Sequence, residues 1–209
     1  MSRILKDKPW TLGVLVLVIA GLAFAIWSLT SSEDHEWNGT EYDPPRELGE
    51  VTLTATNGEQ LSLEDLQGKP VLLYFGYTYC PDFCPATLTD FQRVKMALGD
   101  DGDDVAYVMV TVDPARDTPE RMREYLEFFD PSFIGLTGSE DEINVAKREF
   151  GITSLAGEAT PRANGDDVYW VDHSTQTYLL DPDGNLMLEY AWGTSADDIT
   201  EDVRHVLDA

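Results

Sequence analysis

Residues 71–99 read VLLYFGYTYCPDFCPATLTDFQRVKMALG, and their order decides the fold. The run 71–75 is apolar throughout and bounded by turn residues, the pattern of a central strand covered on both faces. From position 88 the apolar residues Leu88, Phe91, Val94 and Leu98 recur at helical spacing until Gly99 stops them. A strand therefore turns directly into a helix, and Cys80 and Cys84 occupy the turn. They are the only two cysteines in the chain. Both thiols fall within five residues, which favours chemistry or metal binding over a local disulfide or simple packing. In an open α/β sheet the carboxyl end of a strand is the usual place for a site. The helix dipole and its unpaired N–H groups favour anionic sulfur there. Residues i and i+4 at a helix start differ by about 40° around the axis, so both sulfurs can reach one point. Pro81 stiffens the turn, and Pro85 suits a first helical turn.

Downstream, residues 105–112 read as a second buried strand and run into DPARDTPE, where Thr118 and Pro119 fit a helix N-cap and first position. Met122, Tyr125, Leu126 and Phe129 continue that helix. Residues 133–136 form a short strand, Ser139 caps a helix reaching Phe150, and a loop-rich stretch follows from 156 to 167. Strands are expected at 168–171, 177–180 and 186–190, the last two joined by DPDG as a hairpin turn, with a closing helix over 195–207. Upstream, Val51, Leu53 and Ala55 alternate before the Asn57-Gly58 turn, and Ser62 can cap a short helical turn. The expected fold class is α/β, a thioredoxin-like mixed sheet with helices on both faces, over residues 48–209.

Ahead of this domain, residues 1–9 carry Arg3, Lys6 and Lys8 against Asp7, and residues 10–29 carry no charge. Twenty residues at helical rise span about 30 Å, the hydrocarbon thickness of a bilayer. Trp10 and Trp27 suit the two interfaces. The expectation is a transmembrane anchor at 10–30 with a cytoplasmic N-terminus at 1–9, a tether at 31–47 and the domain on the extracytoplasmic side. A cleaved signal peptide is the alternative reading of the same segment.

The chain has 209 residues with 39 acids against 14 bases, a formal charge of −25 and a pI near 4.1. That speaks against nucleic acid and anionic membrane surfaces as partners. The acids are interleaved with ordinary apolar content, which argues against disorder. Such a surface repels itself in dilute buffer, and at molar salt the screening length falls to about 3 Å, so a high-salt habitat is the expectation. A surface that attracts a basic partner or cations is the competing one.

Two thiolates are a soft pair that suits Cu(I), and a third ligand would complete a trigonal site. Structural zinc wants four ligands, which two cysteines and three histidines, one of them in the tether, struggle to supply. His173, in VDHSTQTYLLDPDG, is the candidate third ligand, although position alone leaves a structural role open. His35 reads as a linker residue and His205 as a surface residue of the last helix. Asp82 could touch a metal or favour the helix N-terminus. Asp113, Arg116 and Asp117 could line the site or form a turn with a structural ion pair.

Three stretches together resemble the Sco/SenC family of cytochrome oxidase assembly. FGYTYCPDFCP is similar to that family's metal motif, with Phe83 where a smaller apolar residue is commoner. VTVDPARDTPERMREYLEFF and YWVDHSTQTYLLDPDG resemble its two other signatures in the same order. The resemblance covers about residues 48–208 and implies a thioredoxin-like fold with copper bound by Cys80, Cys84 and His173. It implies a role in delivering copper to, or reducing the cysteines of, the dinuclear copper site of an oxidase subunit. The function expected on this basis is a membrane-anchored copper metallochaperone with no turnover of its own, whose copper and electron donors are unknown. The enzyme alternative is a thiol-disulfide reductase in which Cys80 and Cys84 cycle between dithiol and disulfide. Peroxidase chemistry is a third reading, weakened because the motif is a symmetric pair rather than one dedicated nucleophile.

Overall fold

A computed structural model describes Gly13 and residues 17–22, 35–161 and 167–209. The chain divides into two compact units, Met1–Glu36 and Trp37–Ala209. In the first, Gly13 and residues 17–22 are helical. Among the described residues no helix is long and apolar enough to cross a membrane, and most of the anchor expected at 10–30 lies outside them.

The second unit is built on an eight-stranded mixed sheet. Its strands are β1 (Thr40–Arg46), β2 (Thr52–Ala55), β3 (Gln60–Ser62), β4 (Val71–Gly76), β5 (Ala106–Thr111) and β6 (Ile134–Thr137). After four minor strands outside that sheet, β7 (Ser154–Ala156), β8 (Thr160–Pro161), β9 (Asp167–Val168) and β10 (Val171–His173), the eight are completed by β11 (Thr177–Leu180) and β12 (Leu186–Tyr190). The order across the large sheet is β1-β12-β11-β4-β5-β6-β2-β3, with β4, β5 and β6 parallel and the other neighbours antiparallel. The helices are α1 (Phe83–Leu98), α2 (Pro119–Leu126), α3 (Glu140–Glu149) and α4 (Ala196–Asp208).

All six residues of β4 and all six of β5 are buried, as their unbroken apolar runs require. Side chains alternate between the two faces of the sheet. Tyr74 meets Phe91 of α1 edge-on at 5.7 Å, and its register partner Met109 leads on to Gly135. A Cβ at Gly135 would lie 2.8 Å from Leu126 Cδ1, so α2 covers the same face. The next residue, Phe75, points the other way and packs on Phe150, at the end of α3, at 5.3 Å. Helices therefore cover both faces. The serine and threonine caps act as their positions suggest: Thr118 accepts from Arg121 N at 3.2 Å, Ser139 from Glu142 N at 3.3 Å and Ser195 from Asp198 N at 3.1 Å. The DPDG turn closes the β11–β12 hairpin, with Gly184 at φ 87, a conformation that other residues resist.

Three boundaries differ from the sequence reading. The segment expected as a tether ends earlier, because β1 pairs with β12 and the folded unit begins at Trp37. An edge strand is held by its backbone, so TEYDPPR needs no apolar alternation to join the sheet. Asp202, fully buried on α4, fastens this entry by accepting from Asn38 N at 3.1 Å, Asn38 Nδ2 at 3.0 Å and Gly39 N at 3.3 Å. Phe129 lies beyond α2, whose last residue is Leu126. The strand expected at 168–171 is two pieces, β9 pairing with β8 and β10 pairing with β7.

Strand direction places the chain's entry. Thr40 opposes Glu189, Tyr190 opposes Thr177, and Thr177 opposes Tyr74, so β1 begins at the end of the sheet where β4 finishes.

Candidate metal centre

At that end of β4 the chain passes through Gly76 and a turn over 77–82 into α1. Cys80 sits in the turn and Cys84 in the first turn of the helix, both buried and both free thiols. Cys80 Sγ accepts from Cys84 N at 3.5 Å, which places the sulfur where a helix cap would stand. Asp82, at the N-cap position, makes no capping hydrogen bond with its side chain, which is exposed.

Gly76 is required here. A Cβ at this position would lie 2.8 Å from Cys84 Sγ and 2.5 Å from Tyr74 Cε2. The sulfur rests against bare backbone.

His173 arrives from β10. That strand is held by β7, where His173 opposes Ser154, and the next residue is fixed by a Ser174 N to Thr153 O bond of 3.0 Å. The His173 ring stands edge-on to Tyr77 at 5.7 Å, and its Nδ1 lies 2.7 Å from the Ser174 carbonyl oxygen. A carbonyl can only accept, so the proton belongs on Nδ1 and the Nε2 lone pair is left for a metal. Nε2 lies 3.8 Å from Cys84 Sγ. Cys80, Cys84 and His173 bring their ligand atoms within 4.8 Å of one another. Bonds of about 2.0–2.3 Å, the zinc values for nitrogen and sulfur, set the corners of a trigonal site about 3.5–4 Å apart, so modest closing would complete one.

The two thiols share their protons unequally. The Cys80 thiol is driven well below the ordinary range by its hydrogen bond with Cys84, against the opposing effect of burial. Cys84 is pushed up by the same hydrogen bond and by burial. The hydrogen bond between the sulfurs favours the anion on Cys80 and the proton on Cys84, and a soft metal bound by both would displace that proton.

The DPARD turn after β5 lies beside this centre. Asp117 is fully buried and accepts from Thr78 N at 3.0 Å, Thr78 Oγ1 at 2.7 Å and Thr111 Oγ1 at 2.7 Å, so it pins the cysteine turn to the end of β5. Burial raises its pKa while these donors oppose the rise. Arg116 Nε donates to Asp113 Oδ2 at 2.5 Å, the ion pair expected of the turn. His205 is exposed on α4 against the Trp37 ring at 5.1 Å, and neither it nor His35 joins the donor cluster. Sequence reasoning missed Gly76, Thr78, Tyr77 and Tyr169. FGYT offered a glycine next to a cysteine motif as a signal, but the tyrosines have none apart from their contacts.

A family model described as SCO1/SenC matches residues 40–208. Protein SenC of Rhodobacter capsulatus is 34% identical over 197 residues, covering 93% of this chain and 87% of that protein. The structure of Bradyrhizobium japonicum ScoI with copper bound superposes with a TM-score of 0.67 at 35% identity, covering 76% of this chain and 98% of that one. BsSco, described as a member of the Sco family of cytochrome c oxidase assembly proteins with a disulfide switch, superposes with a TM-score of 0.60 at 26% identity, covering 82% and 96%.

Proposed function

The chain belongs to the SCO1/SenC family, and on that footing we propose that it is a copper metallochaperone whose cargo is held by Cys80, Cys84 and His173. The observation that carries the reading is the convergence of these three donors, from a turn, a helix start and a strand, within 4.8 Å. Two sulfurs and one imidazole match a soft cation that accepts three ligands, while structural zinc would want a fourth. Cys80 and Cys84 are buried and His173 half-buried, and the lowered Cys80 thiol favours sulfur as the anionic ligand of the cargo. The acceptor in this reading is the copper-binding subunit of a terminal cytochrome oxidase. Residues 10–30 are the membrane anchor, with residues 1–9 cytoplasmic and the domain outside. The acidic surface is an adaptation to high salt.

Copper titration of the reduced full-length chain, with metal analysis, tests the ligand set. One-to-one binding is expected, with sharp losses in Cys80→Ser, Cys84→Ser and His173→Ala. Undiminished affinity in His173→Ala would sink the set.

A second reading is favoured by the lowered Cys80 thiol: a dithiol that reduces an acceptor disulfide. Cys80 would attack, a mixed disulfide would form, and Cys84 would release the acceptor as two thiols, leaving a Cys80–Cys84 disulfide and passing on two electrons and two protons. Exchange of this kind would survive His173→Ala nearly intact, whereas copper binding would not.

A further inference from the structure

The three donors ride on two arms separated by 89 positions in the chain, the cysteine turn and the segment that delivers His173. The Arg116 side chain, which belongs to neither arm, touches both. The Arg116 guanidinium carbon lies 3.6 Å from the ring centre of Tyr169, 4.7 Å from that of Tyr79 and 5.9 Å from that of Tyr77. Tyr77 and Tyr79 belong to the cysteine turn, and Tyr169 precedes β10. Arg116 Nη1 also donates to the Tyr169 carbonyl at 3.2 Å, and Nε donates to Asp113. The other oxygen of Asp113 accepts from the Tyr169 hydroxyl at 2.7 Å. From the cysteine side the bridge continues: the Tyr77 hydroxyl accepts from Val171 N at 3.3 Å, and the Tyr77 ring stands against His173.

An ion pair that only tightened the turn would need none of these rings. Here the pair is withdrawn from water, the Arg116 side chain 16% exposed and that of Asp113 4%. Nη2 is buried with no hydrogen-bond partner among the described residues. A planar guanidinium can lie on an aromatic face and donate from its edge at once, which an ammonium cannot do.

We propose that Arg116 is a positioning residue for the metal centre, clasping the His173 arm to the cysteine arm through Tyr169, Tyr79 and Tyr77. The proposal rests on the reading of Cys80, Cys84 and His173 as the ligand set. Without the clasp the sulfurs stay in place on β4 and α1, and the imidazole loses its fixed distance from them.

Two measurements on the full-length chain test this with Arg116→Met, which keeps an apolar stem in place. In the metal-free protein, amide exchange at Val171 should accelerate while Leu72 and Val108 in the sheet centre keep their protection. In the copper-loaded protein, X-ray absorption should show the nitrogen neighbour lost beside two retained sulfurs. Affinity should fall about 10–100-fold, the usual range for groups that orient a ligand. Arg116→Met combined with His173→Ala should cost no more than His173→Ala alone. If Arg116→Met fails to fold, Tyr169→Leu removes the clasped ring and leaves the charges paired, with the same losses expected. Unchanged affinity with the nitrogen neighbour retained, or additive losses in the double variant, would overturn the proposal. If His173→Ala weakens binding and Arg116→Met does not, only the clasp falls; if His173→Ala has no effect, the ligand set falls with it.

Discussion

Gly76 shows how much of the centre depends on an atom that is missing. Its backbone lies where the Cys84 sulfur needs room, and any Cβ would press on that sulfur and on the Tyr74 ring together. Gly76→Ala is therefore expected to destabilise the protein by about 1–3 kcal/mol, as overpacking of a filled core does. Thermal unfolding and copper titration should both register it, because the relief available is movement of Cys84. An unchanged melting temperature would mean that the contact yields freely. The cysteines could be found in the sequence because two rare, reactive residues stood on a strand-to-helix turn. His173 could not be fixed that way, since a histidine 89 residues distant carries no mark of where folding will bring it. It was a candidate from its place before the hairpin, and the likeness of three separated stretches to a known family is what favoured it over a structural role. Asp117 was named only as one of a turn that could line the site, and the rings of Tyr77 and Tyr169 were less visible still, because their parts are defined wholly by what they touch.

The helices and central strands were legible because their signals are local: an unbroken apolar run, a capping hydroxyl, a glycine at a stop. Ser62, Thr118 and Ser139 each cap as expected. Strand β1 was not legible, because it joins the sheet through backbone pairing and its residues are mostly exposed. What fixes its approach is one buried carboxylate. Asp202→Ala should leave the Asn38 and Gly39 amides without their acceptor, at a cost of about 1.5–3 kcal/mol, the range for hydrogen bonds to a charged group. Hydrogen exchange should accelerate at Asn38, Gly39 and along β1, while β4 and β5 stay protected. Loss confined to global stability, with β1 no more open than the rest, would contradict this.

Across the molecule, a formal charge of −25 on 209 residues gives the folded state a self-repulsion that salt relieves. The melting temperature is expected to climb between about 0.1 M and 2 M potassium chloride, with most of the screening gained as the Debye length shrinks from about 10 Å toward 3 Å. A flat or falling profile would discard the high-salt reading and leave the acids to a basic partner. The course of β1 bears on handling as well as on stability. The chain enters the sheet at the end where the donors converge, three strand spacings from β4, about 14 Å to the side. Helix α4 sets out from that end and runs back, its Arg204 reaching Ala97 at the far end of α1. A label placed at Thr40, where β1 begins, would thus sit at the donors' end of the sheet, and one placed at Asp208, where α4 finishes, would sit at the opposite end.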